Sequence, residues 1–385
     1  MRNLINIQIP SSSPNCDVKN LWWISIDDDG KILSIAPMST ASDINVHEDW
    51  DGDWISPRGI DLQINGGLGL AFNEIDSNHL PKLIELLDYL WADGVEAICP
   101  TLVSCSVSAL RNALEVFRLA REQTANNRCK LLGAHLEGPF LSKFYRGAHQ
   151  TKYICLPSLE ELDQRISGFE ADISLVTIAP ELPGASDVIR KLQNLGILVS
   201  LGHSGADSKI SSLSFDLGIS MLTHTFNAMP GLHHRDPGPI AEALNHGQIA
   251  LGLIADGFHV HPHLAVILKQ LASDQIYLVS DALAPYGLEE KQFIWDKRLL
   301  NIEKGICRLE NGTLAGTTIS LLEGCKRLAK WTGDPSAAIW YATVSPRLVL
   351  QKNKQIKDCF IGKPLETLLR WHSDKQSSLL KWTPA

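Results

Sequence analysis

The sequence predicts an α/β fold, a (β/α)8 barrel of the TIM type, on three observations. From residue 59 onward, eight strand-like apolar runs alternate with helical ones, at about 59–65, 96–103, 130–137, 173–180, 197–203, 220–226, 248–256 and 275–281. No GxGxxG turn follows the first run, which disfavours an open doubly wound sheet. Polar islands lie at or beside the run ends: QIN at 63–65, HLEGPF at 135–140, GHSGA at 202–206, THTFNAM at 223–229, DGFHV at 256–260 and VSDALAP at 279–285. In such a barrel the C-terminal strand ends share one rim, so residues distant in sequence meet there.

Length and composition agree. The 385 residues accommodate one barrel of about 250 residues and a smaller companion domain. Hydrophobic residues make up 44% and charged ones 20%, which excludes a disordered chain. The net charge of −8, without any basic run, argues against a nucleic-acid partner but leaves an anionic small substrate open. The N-terminal MRNLINIQIPSSSPNCD lacks a basic segment followed by an apolar core, so no signal peptide is expected. No run approaches the roughly 20 apolar residues of a membrane span. The eight cysteines, at 16, 99, 105, 129, 155, 307, 325 and 359, form no CxxC pair and read as reduced thiols of a cytoplasmic protein.

Residues 1–56, with LWWISIDDDGKILSIAP among them, have a β-hairpin texture and no helical period. They form the N-terminal part of a small β domain. Residues 57–345 form the barrel. Within it, Leu80, Leu83, Leu87 and Leu90 recur at spacings of three and four, and Gly94 stops that helix. SVSALRNALEVFRLAREQ and GASDVIRKLQNLG behave in the same way. Residues 286–313 read as an inserted β excursion, after which SLLEGCKRLAKWTG completes the barrel. Residues 346–385 carry short apolar groups that return to pack with the N-terminal strands.

The chemistry gathers at the strand ends. Glu137 precedes Gly-Pro; it is a metal ligand or a loop cap, and a buried strand rarely tolerates an unpaired carboxylate. His203 and His224 each end a strand-like run, where a lone histidine is more often structural. Two on consecutive strands, with Glu137 upstream, give the three protein ligands of a catalytic zinc and leave a fourth position for water. Asp281 ends the eighth run, as a proton shuttle beside that water or as the cap of the ALAPYG turn.

The ordered set QIN, HLEGPF, GAH, GHSGA, THTFNAM, DGFHV, VSDALAP and LAGT resembles the N-acetylglucosamine-6-phosphate deacetylases of the amidohydrolase superfamily, from about residue 59 to 345. The resemblance implies a barrel with a small β-sandwich built from both termini, and a homodimer. It implies one divalent metal ion per subunit, zinc first and iron or another ion as alternatives, on Glu137, His203 and His224. It implies Asp281 as the acid/base and His149 as a substrate contact that polarises the acetyl carbonyl. It places Ala148, Asn227, Ala228, Leu314, Ala315 and Gly316 around the substrate, His259 on the sugar phosphate, and Arg235 on the phosphate, within the chain or across a dimer. Gln63 and Asn65 join these substrate contacts, at positions where many superfamily members carry His-x-His, which implies one metal instead of two. The implied partner is a small amino-sugar phosphate. The rivals are an amidohydrolase for another N-acyl sugar phosphate or N-acyl amino acid, and a catalytically silent barrel.

Overall fold

The computed structural model describes residues 1–12, 20–41, 45–123, 125–351, 355–373 and 379–385. Eight parallel strands form the barrel: β1 Gly59–Ile64, β2 Val95–Val103, β3 Ala134–Glu137, β4 Ile173–Ile178, β5 Leu198–Leu201, β6 Met221–Leu222, β7 Ala250–Ile254 and β8 Ile276–Val279. Each pairs with the next. The ring closes where the end of β8 meets β1: Ile64 bridges Ala282, and Asp281 N donates to Gln63 O at 2.9 Å. The α/β barrel expected from sequence is the fold.

Alternation explains how each strand works. Leu136, Val176, Ile178, Val199, Leu201 and Leu222 face the helical layer, in one core with Leu83, Leu86, Leu87 and Leu90 of helix Leu80–Ala92. The opposite positions point to the barrel axis. The lower axis is filled by Ile60, Leu62, Cys99, Leu175, Met221, Ile254, Tyr277 and Val279. Above them runs a buried polar belt. His135 bonds Thr101 at 3.3 Å and Thr177 at 2.7 Å, Thr177 bonds Thr223 at 2.7 Å, and Thr223 bonds Ser200 at 2.6 Å. Burial pushes His135 down to about 4, so the belt is neutral.

Seven of the eight expected runs are shorter than drawn, and two of them break for a local reason. The run at 130–137 splits into Lys130–Leu131 and β3, with Gly133 between them. A Cβ there would lie 2.4 Å from Ser174 Oγ and 2.6 Å from Ser174 N, so only glycine allows this approach. The run at 220–226 is strand only at Met221–Leu222, because His224 and Phe226 take left-handed backbone conformations.

The insertion is an antiparallel four-stranded sheet, Gln292–Trp295, Arg298–Glu303, Ile306–Leu309 and Leu314–Thr317. Its last strand hydrogen-bonds back to the rim, with Thr317 N donating to Asp281 O and Leu283 N to Thr317 O, both at 2.9 Å. Gly316 makes this possible, because a Cβ there would lie 2.6 Å from Asp281 O.

Both termini build the small domain. One sheet holds Arg2–Ile7, Trp22–Ile26, Ile32–Pro37 and Glu48–Asp49; the other pairs Leu380–Pro384, Leu369–Ser373 and Trp54–Ser56. They share a core of Leu4, Ile7, Ile24, Trp50, Ile55, Phe360 and Leu368. Among the described residues Cys99, Cys105, Cys129, Cys155, Cys307 and Cys325 are free thiols, and Cys16 lies outside the described residues. Among the described residues no helix is long and apolar enough to cross a membrane.

Two helices that periodicity does not reveal, Pro335–Thr343 and Ser345–Leu350, follow Leu321–Thr332. The first buries Ala337, Ala338, Ile339, Tyr341 and Ala342, so it shows no amphipathic stripe. The second carries Arg347, which pairs with Glu96 of β2; Lys363 joins them at 3.2 Å. Burial would raise Glu96, but the charges of Arg347 and Lys363 outweigh it and hold the carboxyl at about 2. Its folded pKa thus lies below the unfolded value. The stabilisation, about 3 kcal/mol, is complete above pH ~4.5 and is lost as pH falls towards ~2. Glu96→Gln is expected to lower the melting temperature at pH 7 and to lose most of that difference at pH 3. An equal difference at both pH values would show that the pair carries no such linkage.

Candidate active site

The rim residues reach the axis through unusual backbone. His203 (φ 49°), His224 (φ 30°) and Asp281 (φ 49°) follow the ends of β5, β6 and β8 in left-handed conformations. Each costs on the order of 1–3 kcal/mol, which the closed barrel sustains. Glu137 needs no such turn, because it is the last inward position of β3.

Three atoms converge at the centre. His203 Nε2 lies 3.1 Å and His224 Nε2 3.0 Å from Glu137 Oε1, and the two nitrogens are 3.0 Å apart. All three residues are at most 5% exposed. His203 Nδ1 donates to the Tyr145 carbonyl at 2.9 Å, which turns Nε2 towards Glu137 as the atom that would bind a metal once it carries no proton. Burial would raise Glu137, yet the two imidazoles outweigh it and hold the carboxyl well below its usual range. The cluster therefore favours positive charge at its centre. Ligands about 2.05 Å from a tetrahedral ion stand about 3.3 Å apart, close to the observed spacings. These residues fit a divalent metal.

His149 is also close, 4.0 Å from Glu137 Oε2, and Glu137, His149 and His203 form a buried group able to bind a metal. Its ring is held differently. Ser104 N donates to His149 Nδ1 at 3.2 Å, with Ser104 Oγ at 3.0 Å. Burial, then the His203 charge, pushes His149 down to about 3, so the ring is neutral with its proton on Nε2. That N–H suits an oxygen gaining negative charge. Arg146 and Arg298 fix the loop by donating to the His149 and Ala148 carbonyls.

Asp281 faces Glu137 from the far side of the barrel. Burial, then the Glu137 charge, pushes its carboxyl up to about 7. Gln63 and Asn65, 3% and 2% exposed, fill the space between β1 and these carboxylates. Their amide nitrogens face carboxylate oxygens, so neither offers the lone pair that an imidazole would at those positions.

A cleft of ≈ 330 Å³ opens above this floor, within the size of small-molecule sites. Asn65, Ala148, Asn227, Ala228, His259, Leu314 and Ala315 line it, and Gly316 lies one step behind. Val103, Phe144, Tyr145 and Trp295 complete the walls. Arg235 stands apart on an exposed loop, outside the walls of its own chain's cleft.

Sequence reasoning passed over four supporting residues. His135 anchors the belt, Ser104 sets the His149 tautomer, and Tyr145 sets that of His203. Asp256 accepts from His259 Nδ1 at 2.6 Å and from the Phe258 and His259 amides at 2.8 Å, so it aims His259. Asp256 left a signal, three residues before the histidine in DGFHV, and so did His135, which opens HLEGPF.

No protein-family model matches the sequence. The chain is 32% identical over 310 residues to N-acetylglucosamine-6-phosphate deacetylase of Vibrio furnissii, covering 80% of this chain and 77% of that one. It is also 32% identical to N-acetylgalactosamine-6-phosphate deacetylase of Escherichia coli O157:H7, over 84% of this chain and 83% of that one. The crystal structure of N-acetylglucosamine-6-phosphate deacetylase from Pasteurella multocida superposes over the whole of both chains, with a TM-score of 0.81 and 26% identity. With this sequence similarity along most of its length and that barrel, the chain belongs to the N-acetylglucosamine-6-phosphate deacetylase family.

Proposed function

We propose that the protein hydrolyses the N-acetyl amide of N-acetylglucosamine 6-phosphate to glucosamine 6-phosphate and acetate, with one zinc ion per chain on Glu137, His203 and His224. The convergence of Glu137 Oε1 and two imidazole Nε2 atoms within 3.1 Å carries this reading. Zinc suits two imidazoles and one carboxylate, although the same set accepts other divalent ions. His149 is left out of the ligand set because its Nε2 bears the proton.

When bound, a divalent metal supplies Lewis acidity, polarising the amide carbonyl and acidifying the attacking water. Asp281 takes the water proton as the new C–O bond forms. It returns that proton to the amide nitrogen, and the C–N bond breaks to release a neutral amine. His149 Nε2–H donates to the carbonyl oxygen as charge develops there. Ala148, Asn227, Ala228, Leu314, Ala315 and the neighbouring Gly316 shape the sugar site, and His259, held by Asp256, serves its phosphate end.

The galactosamine epimer is the second reading, because the similarity to the Escherichia coli enzyme is equally high. Acetate release from the two epimeric 6-phosphates and from free N-acetylglucosamine tests both. The gluco phosphate is expected to give the highest kcat/KM. A preference for the galacto phosphate selects the second reading, and no acetate from either phosphate refutes both.

The protein acts as a homodimer in this reading, and two observations support it. Arg235 lies outside its own cleft. Leu264, Ile267 and Leu271, 40%, 44% and 61% exposed, lie at spacings of three and four along helix Pro262–Leu271, an apolar stripe suited to a second copy. A guanidinium grips phosphate through paired donors, worth about 1.5–3 kcal/mol or roughly ten- to over a hundred-fold in kcat/KM. Arg235→Ala is expected to lose that much on the phosphorylated sugar and little on the free sugar. Equal losses on both would make Arg235 a structural residue. Mixed Arg235→Ala and Asp281→Asn chains should regain activity if the arginine acts across the dimer. The free thiols of Cys99, Cys105, Cys129, Cys155, Cys307 and Cys325 accord with a cytoplasmic setting.

A further inference from the structure

The two carboxamides at the end of β1 are hydrogen-bond donors to the acid/base. Asn65 Nδ2 donates to Asp281 Oδ1 at 2.7 Å. Gln63 Nε2 donates to the same oxygen at 3.3 Å and to Glu137 Oε1 at 3.1 Å. An ionised carboxylate oxygen only accepts, so with Asp281 charged these contacts turn the nitrogen of each amide inward. Asn65 Oδ1 is left buried and without a partner, turned away from the carboxylate. Among the described residues no hydrogen bond reaches Asp281 Oδ2. The two oxygens of Asp281 are therefore unlike: one is doubly held, the other is free.

Barrel closure fixes this arrangement. Asp281 N donates to Gln63 O at 2.9 Å, and Asn65 N to Ala282 O at 2.7 Å. The buried Asp61 accepts from Gln63 N and Ser280 N, each at 3.2 Å, and ties the same two strand ends together. Donors and acceptor thus share one seam, although 216 and 218 residues separate them. Gln63 also spans two carboxylates, with one N–H for each, and so offsets the repulsion that would swing Asp281 away from Glu137.

We propose that Gln63 and Asn65 form a clamp that positions Asp281, fixing Oδ1 and leaving Oδ2 as the oxygen that carries the proton. This rests on the acid/base role of Asp281 in the proposed reaction. The terminal torsion of an aspartate is broad and soft, so an unclamped carboxylate spends its time in orientations that cannot reach both the water and the leaving nitrogen.

Asn65→Leu keeps the bulk and removes the donor, and Asn65→Ala does so with less strain if leucine prevents folding. With the metal-loaded protein, kcat on N-acetylglucosamine 6-phosphate should fall about ten- to a hundred-fold. KM should stay within about threefold. Metal content should match that of the unaltered protein. An unchanged kcat overturns the clamp. So does loss of metal with activity, which would place the action on Glu137, or a raised KM with kcat retained, which would make Asn65 a substrate contact. A crystal structure of the variant tests the clamp without any substrate: the Asp281 carboxylate should be rotated or spread over several orientations, and an unmoved carboxylate overturns the proposal. If the unaltered protein releases no acetate, the proposed reaction fails, while this structural comparison still decides the clamp.

Discussion

Asp281→Asn is expected to abolish turnover while metal and substrate still bind. The carboxamide has nearly the same shape, and Asp281 contributes no atom to the Glu137, His203 and His224 cluster. What it loses is the capacity to take a proton from water and return it to the amide nitrogen. One residue serving both steps puts the loss at or above the about 10²–10⁴-fold typical of a general acid or base. Its carbonyl oxygen can still accept from Gln63 and Asn65, so the substitution removes the proton carrier and leaves those two hydrogen bonds in place. A variant that kept more than about a tenth of the original kcat would move the proton transfer to another residue.

Glu137→Ala is expected to empty the metal site and with it the activity. Glu137 Oε1 is the atom that both imidazoles approach, at 3.1 and 3.0 Å, and it is the only negative charge among the three proposed ligands. Without it two buried imidazoles remain, with no carboxylate beside them. Loss of residues that merely support a ligand already costs about 10–100-fold in metal affinity, and loss of the ligand itself should cost more. Metal analysis after gel filtration checks this. A variant that retains a full equivalent would transfer the ligand role to His149, whose Nε2 lies 4.0 Å from the same carboxylate.

The barrel was legible because its strands bury one face against helices and end abruptly in polar residues. Ile173–Ile178 and Val95–Val103 are apolar enough to read as strands without context. Glu137, His203, His224 and Asp281 stood out as a set, because each alone has a structural explanation, whereas two histidines and two carboxylates closing strands of one barrel meet on one rim. What stayed hidden depends on which strands meet. The hydrogen bonds from Gln63 and Asn65 to Asp281 exist only because the eighth strand closes on the first. The tautomers of His149 and His203 depend on Ser104 N–H and on the Tyr145 carbonyl, backbone groups that no composition reveals. Helix Pro335–Thr343 escaped for the opposite reason, being too uniformly apolar to show a period. Arg235 matched a motif, yet its exposed loop leaves it outside the cleft, because a sequence pattern does not say where in space a loop comes to lie.

Titrating metal into the stripped protein while measuring acetate release from N-acetylglucosamine 6-phosphate tests the central claim most directly. Release should be absent without metal, rise linearly, and saturate at one equivalent per chain, because Gln63 and Asn65 present amide N–H groups where a second ion would need lone pairs. Undiminished acetate release from the metal-free protein, or a requirement for two equivalents, would contradict it.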